Sequence, residues 1–257
     1  MAKTLEFPDL LRLIEERSDA FRAAVASAAD LGVRVPSCPD WTLFDLVQHL
    51  GGVHRSWAAN VAAGPADGPA LQRGTTWEGP LAAPREREAL LTWSAESTQL
   101  LLNALREAGP DRGCWTWWGA SESPQTSGAV ARHQVQEATV HTYDAQLTVG
   151  TPSPLPTDAA FDGVDEFLTT CCATTSPWPH PPATIDFHAT EGRSWRLSLS
   201  PTGAATSTPT PSTPTASARG AAGELVLTLY GRMSVDSLEV SGDRGVFDLL
   251  EAWEPED

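Results

Sequence analysis

Glu137 and His141 stand four positions apart in the stretch GAVARHQVQEATVHTYDAQ. On a helix, positions i and i+4 project from one face, a turn apart. A carboxylate and an imidazole so placed can share one divalent ion. A third ligand from another helix would complete a site with positions left open for water or substrate. His49 and His54, in the upstream stretch DWTLFDLVQHLGGVHRSWA, are the candidates for that third ligand. They point roughly 140° apart on a helix, so only one should face a bundle centre, and geometry alone leaves the choice open.

The surroundings sharpen the question. Val130, Gln134, Glu137, Ala138, His141 and Ala145 share one helical face, otherwise mostly small or apolar. A buried carboxylate needs a cation or strong donors. A divalent ion would serve; a buried Glu–His hydrogen bond, or a wetted face, would account for the same spacing. His133 lies about 80° round from His141 and suits a helix interface or the surface. His180 reads as a loop residue and His188 as one on a strand. The aromatic run Cys114-Trp115-Thr116-Trp117-Trp118 could line an apolar pocket mouth, and it could equally seal the end of a bundle.

Four long helices are expected to position these groups. The first runs from about Pro8 to Ala29, with Leu10, Ile14, Phe21, Val25 and Ala28 at helical spacing. After a loop, LGVRVPSCPDW, Thr42 opens the second, with Asp45 three residues on as a variant capping box, and Gly64-Pro65 ends it. Residues 64–83, rich in Gly, Pro and Ala, read as a connection. The third helix spans about Pro84 to Ala108, stopped by Gly109-Pro110, and the fourth about Ser127 to Val149. Four helices of ~20 residues in this order imply a bundle over residues 1–150.

Residues 151–257 have a different texture and predict a smaller α/β domain, so that the fold class is α+β. Asp158–Cys172 reads as a helix, and TIDFHAT and SWRLSLS alternate as two strands. The Thr/Pro/Ser-rich segment at about 201–218 predicts a mobile loop whose end pairs as an edge strand. AAGELVLTLYGRM reads as a helix, DSLEVSG as a short strand and DRGVFDLLEAW as a final helix.

Composition excludes several classes of function. The formal net charge is −16, from 33 acidic and 17 basic residues, without a basic stripe, which argues against nucleic-acid binding and against a lysine-mediated membrane surface. No apolar run approaches the ~20 residues of a membrane span. The N-terminus lacks the apolar core of a signal peptide, so a cytoplasmic location is expected. Cys38, Cys114, Cys171 and Cys172 show no zinc-knuckle spacing and predict reduced thiols. Nothing in the sequence sets an oligomeric state.

The stretches VPSCPDWTLFDLVQHLGGVHRSWA, VARHQVQEATVHTYDAQ, GVDEFL and AAGELVLTLYGRM, the last followed by SGD, resemble the mycothiol-dependent maleylpyruvate isomerase family of actinobacteria. They occur in the family's order and cover both halves of the chain. The resemblance implies an N-terminal DinB-like metal-binding four-helix bundle, with His49, Glu137 and His141 as ligands of a divalent metal, usually zinc. It also places Arg232 at the active site; its position after a helix would equally suit a cation near exposed carbonyls. Many relatives have His-Glu where this chain has Gln136-Glu137, which leaves the substrate open. Cys38 lies in the matching segment, but the family uses an external thiol.

The chemistry so implied is activation of a low-molecular-weight thiol, mycothiol, against a small electrophilic substrate. The thiolate adds to a cis double bond, and rotation and expulsion leave the trans isomer. Transfer of the thiol to an electrophile, metal-dependent hydrolysis, and a non-catalytic metal-binding sensor are the alternatives.

Overall fold

The computed structural model describes residues 5–71 and 82–253, so part of the connection expected at 64–83 lies outside the described residues. The described residues divide into two compact units, one of residues 5–71, 82–116 and 125–155, the other of residues 117–124 and 156–253.

The first unit is helical. Helix α1 spans Phe7–Ser27, with Pro8 in its first turn, and buries Leu10, Ile14, Phe21 and Val25. Helix α2 spans Leu43–Ala63 and opens on the anticipated capping box: Thr42 Oγ1 accepts from the Asp45 amide, and an Asp45 carboxylate oxygen accepts from the Thr42 amide. Helix α3 spans Arg87–Ala108, starting three residues later than Pro84, because the Glu86 carboxylate caps the Glu88 and Ala89 amides. Helix α4 spans Ser127–Thr148, capped by Thr126. Phe21, Val25, Leu43, Leu46, Leu50, Leu90 and Trp93 form a core shared by α1, α2 and α3. Gly51 lets α2 approach α3, since a Cβ there would lie 2.1 Å from the Trp93 ring.

The segment expected as a loop before α2 is instead a hairpin, β1 (Arg34–Val35) against β2 (Cys38–Thr42). Its two prolines and two-residue first strand mask the usual strand pattern. The hairpin sets Ser37, Cys38 and Trp41 just ahead of α2.

The second unit is an α+β structure. Helix α5 (Thr157–Phe167) continues into a π-helical turn, Leu168–Cys172. Strands β3 (Ala183–Ala189), β4 (Ser194–Ser200), β5 (Gly203–Ser207), β6 (Ala216–Gly220) and β7 (Glu239–Gly242) form one sheet in the order β5-β4-β3-β6-β7. All neighbours are antiparallel except β3 and β6. Helices α6 (Ala222–Leu229) and α7 (Gly245–Glu251) complete the unit.

Two expectations for residues 201–218 are corrected. One edge strand, β5, lies inside the supposed loop, and β6 is an interior strand between β3 and β7. The turn between them is pinned. Asp186 and Arg196 face each other across β3 and β4 as a buried two-point ion pair at 2.6 and 2.7 Å. The same guanidinium also donates to Thr210 Oγ1, Ser212 Oγ and the Ser212 carbonyl. One arginine supplies the ordering energy that the Thr/Pro/Ser composition lacks.

Candidate metal centre

Helix α4 buries polar side chains on most of its circumference, among them His133, Gln134, Gln136, Thr139, His141 and Asp144. An ordinary core helix would bury apolar groups there. Its inward-facing Glu137 and His141 meet His49 of α2. The Glu137 Oε2 lies 3.2 Å from His141 Nε2 and 3.8 Å from His49 Nε2. The imidazoles of His49 and His141 stand edge to face, centroids 4.9 Å apart. One ligand atom from each of the three residues lies within 4.8 Å of the other two. Ligands ~2.0–2.2 Å from a tetrahedral zinc are separated by about 3.3 Å, so the triangle closes round an ion with small side-chain adjustment.

Electrostatics point the same way. Burial pushes the Glu137 carboxyl up, but the hydrogen bonds and charge of His141 and His49 outweigh it and hold the group well below the usual carboxylate range. Burial also pulls His141 down, yet its hydrogen bonds to Asp144 and Glu137 lift it to about 9. The cluster therefore attracts positive charge.

Asp144 is the residue that spacing did not single out. It is fully buried, and one oxygen accepts from His141 Nδ1 at 2.8 Å while the other accepts from Ser37 Oγ at 2.6 Å. A carboxylate on Nδ1 leaves the Nε2 lone pair facing the site and raises the basicity of the ring. The readable signal was its place three residues after His141, hence a helical neighbour. Trp41 packs its ring on His49 at 4.6 Å. Cys38 sits half-buried with Sγ 4.0 Å from Asp144, and none of the four cysteines is in a disulfide.

The other histidines divide clearly. His54 is the more deeply buried of the two α2 candidates, yet it lies outside the triangle. Its Nδ1 meets Thr98 Oγ1 at 3.3 Å, a hydroxyl that also accepts from Arg22, and burial pushes the imidazole down to about 3. His133 is buried, with Nε2 4.0 Å from Glu137 Oε1 and its ring at the edge of Trp57. His180 packs against Trp178, and His188 Nδ1 meets Ser194 Oγ on the sheet.

Trp115 stacks on Trp57 in the helical unit, while Trp118 is buried in the second unit and donates to the Pro124 carbonyl. Cys114 is buried and its thiol is pushed up to about 11, unsuited to thiolate chemistry. Arg232 belongs to the second unit, where it follows α6, donates from Nη1 to the Tyr230 carbonyl at 2.7 Å and lines a cavity.

A helical bundle carrying a two-histidine, one-carboxylate triangle, joined in one chain to an α+β unit, defines a class with known members. Residues 11–146 match the family described as the mycothiol maleylpyruvate isomerase N-terminal domain, and residues 158–249 match the C-terminal domain of the same family. The chain belongs to this family. Among solved structures, it is similar to the mycothiol-dependent maleylpyruvate isomerase and to a histidine-to-alanine mutant of it. Identities are 15% and 14%, TM-scores 0.61 and 0.62, and 98% of this chain and 97% of theirs is covered in both cases. At these identities the likeness establishes the fold. No curated protein matches the chain. No helix among the described residues is long and apolar enough to cross a membrane.

Proposed function

We propose that this protein is a metal-dependent isomerase that uses mycothiol to convert a small cis-unsaturated acid to its trans form. The observation that carries the reading is the convergence of His49, Glu137 and His141 from two helices on one point. Two imidazoles and one carboxylate suit zinc and leave coordination positions for exogenous ligands. When bound there, a divalent ion supplies Lewis acidity, which lowers the pKa of a thiol and polarises a carbonyl.

The chain's own residues have defined tasks. Asp144 holds the Nδ1 proton of His141 and so keeps Nε2 available, and Ser37 holds Asp144. Trp41 fixes the ring of His49 from one side. By the family resemblance, Arg232 of the second unit would grip a substrate carboxylate at two points. Isomerisation requires transient loss of the double bond, which reversible addition of a thiolate provides. The thiol returns unchanged, so no redox partner is needed. The names of the relatives favour isomerisation over thiol transfer.

The test is metal content and turnover together. Purified protein should carry about one equivalent of zinc, the site's single-ion capacity, and should isomerise maleylpyruvate only when mycothiol is present. His141→Ala should lose both properties. Equal metal content in the two proteins, or turnover without a thiol, would overturn the reading.

A further inference from the structure

The Glu137 carboxylate has two oxygens, and the metal triangle is closed by one of them. Oε2 faces His141 Nε2 at 3.2 Å and His49 Nε2 at 3.8 Å, whereas Oε1 lies 4.0 Å from Nε2 of His133. His133, Glu137 and His141 follow one another at four-residue steps on α4, so their side chains form one stripe with the carboxylate between two imidazoles. Of these two imidazoles, His141 alone belongs to the triangle. His133 is buried, and its ring is held in place by aromatic packing. The rings of Trp57 and His133 stand edge to face, centroids 6.3 Å apart and planes at 72°, and Trp115 stacks on Trp57 in turn. An apolar ring would pack there without the desolvation of two ring nitrogens, so the imidazole needs a polar reason to be present. The neighbouring oxygen of Glu137 supplies one: a small rotation of either side chain closes 4.0 Å to a hydrogen bond in which Nε2–H donates to Oε1.

The consequence concerns how many positions a bound ion keeps open. A carboxylate ligates a divalent ion through one oxygen or through both. If Oε1 were free to turn inward, Glu137 would occupy two positions and crowd out an exogenous ligand. A centre that accepts a thiol needs three protein ligands and an open position instead. Partners that hydrogen-bond the outer atoms of ligating side chains set that count by fixing their orientation. Asp144 does this for His141, and His133 is placed to do it for Glu137.

We propose that His133 is a positioning residue that holds Oε1 of Glu137 away from the ion, so that Glu137 ligates through Oε2 alone and a coordination position stays open for the thiol. The inference rests on the metal-centre reading and deepens it. The test loads the full-length chain with cobalt(II), whose visible absorption is strong with four ligands and weakens when another is added. N-acetylcysteine is then titrated in as the thiol probe, followed by the sulfur-to-cobalt charge-transfer band. The native chain should show the strong band and bind the thiol. His133→Phe keeps a ring against Trp57 but has no donor; its band should weaken and its thiol affinity should fall about tenfold, the scale on which such outer partners act. His133→Leu takes its place if the phenylalanine variant unfolds. His133→Gln restores an N–H near the position of Nε2 and should recover both the band and the affinity. The proposal is overturned if the donorless variant keeps the native band and a thiol affinity within about twofold of native, or if glutamine fails to rescue, which would make the ring's packing the only role of His133. A native chain that takes up no cobalt would overturn the metal-centre reading and this inference with it. A loaded native chain with an unaffected His133→Phe would overturn this inference alone.

Discussion

Replacing Asp144 by asparagine should weaken metal binding while leaving all three ligands in place. The native carboxylate is fully buried and divides its oxygens between Ser37 and His141, the latter at 2.8 Å. Asparagine keeps the shape but removes the charge and one acceptor. Either its amide presents N–H to His141 Nδ1, which drives the ring proton to Nε2 and blocks the ligand atom, or it keeps a neutral, weaker acceptor there. Loss of such an outer partner costs ~10–100-fold in metal affinity, or about 1.4–2.7 kcal/mol. The same loss can be read in stability. At zinc equal to 100 times the native Kd, binding adds about 2.7 kcal/mol to unfolding, and a 10–100-fold weaker site should add only about 1.4 to 0.4 kcal/mol. The assay is competition with a chromogenic chelator, paired with thermal unfolding with and without zinc. Ser37→Ala, which removes a donor to Asp144 without removing charge, should show the same effect at smaller size. Zinc affinity of Asp144→Asn within twofold of the native value, with a zinc-induced stabilisation to match, would refute the argument that His141 is held for metal through Asp144.

Three further outcomes are expected. Gly51→Ala should lower stability by roughly 2 kcal/mol in denaturant titrations despite the helix-propensity gain, because the new Cβ would meet the Trp93 ring at 2.1 Å. His54 titrates near 3 in the folded chain and near 6.5 when unfolded, so only the unfolded state binds its proton between those values. Its contribution is therefore lost as pH falls from 6.5 towards 3, at up to about 1.4 kcal/mol per pH unit. The acid sensitivity of His54→Gln, compared with the native chain from pH 7 to pH 4, should be shallower by that slope. Arg196→Met should cost about 3 kcal/mol by leaving Asp186 buried and unpaired. It should also expose residues 208–215 to limited proteolysis, whereas Arg196→Met with Asp186→Leu should recover stability but leave that turn cleavable.

Local chemistry made most of the helical framework legible, and non-local pairing hid the rest. Thr42 with Asp45, and Gly109 before Pro110, mark helix ends through hydrogen bonds and φ preferences that act within four residues. Glu86 is not a typical cap residue, so the start of α3 was misplaced. Strands β5, GAATS, and β6, ASARG, contain little β-branched or aromatic character. They are strands because β3 and β4 present paired edges to them, which no local window can show. The pinned turn at 208–215 follows from Arg196, whose partner Asp186 lies ten residues back across a strand register.

The metal triangle was legible for a different reason. Its ligands break the rule for a core face, and such violations mark sites where function outweighs packing. Spacing singled out Glu137 and His141, and the family resemblance supplied His49 as the third candidate. His54 is the more buried histidine of α2, and a fully enclosed imidazole, met by Thr98 at Nδ1 and without a hydrogen-bond partner at Nε2, has no open face for a substrate. His49 keeps partial exposure, side-chain accessibility 22%, against Trp41. A catalytic ion must be reached from solvent, so the ligand set should lie at the rim of the core. The periodicity of α2 ranks His49 and His54 alike and the family resemblance chose between them; the partial exposure of His49 agrees with that choice.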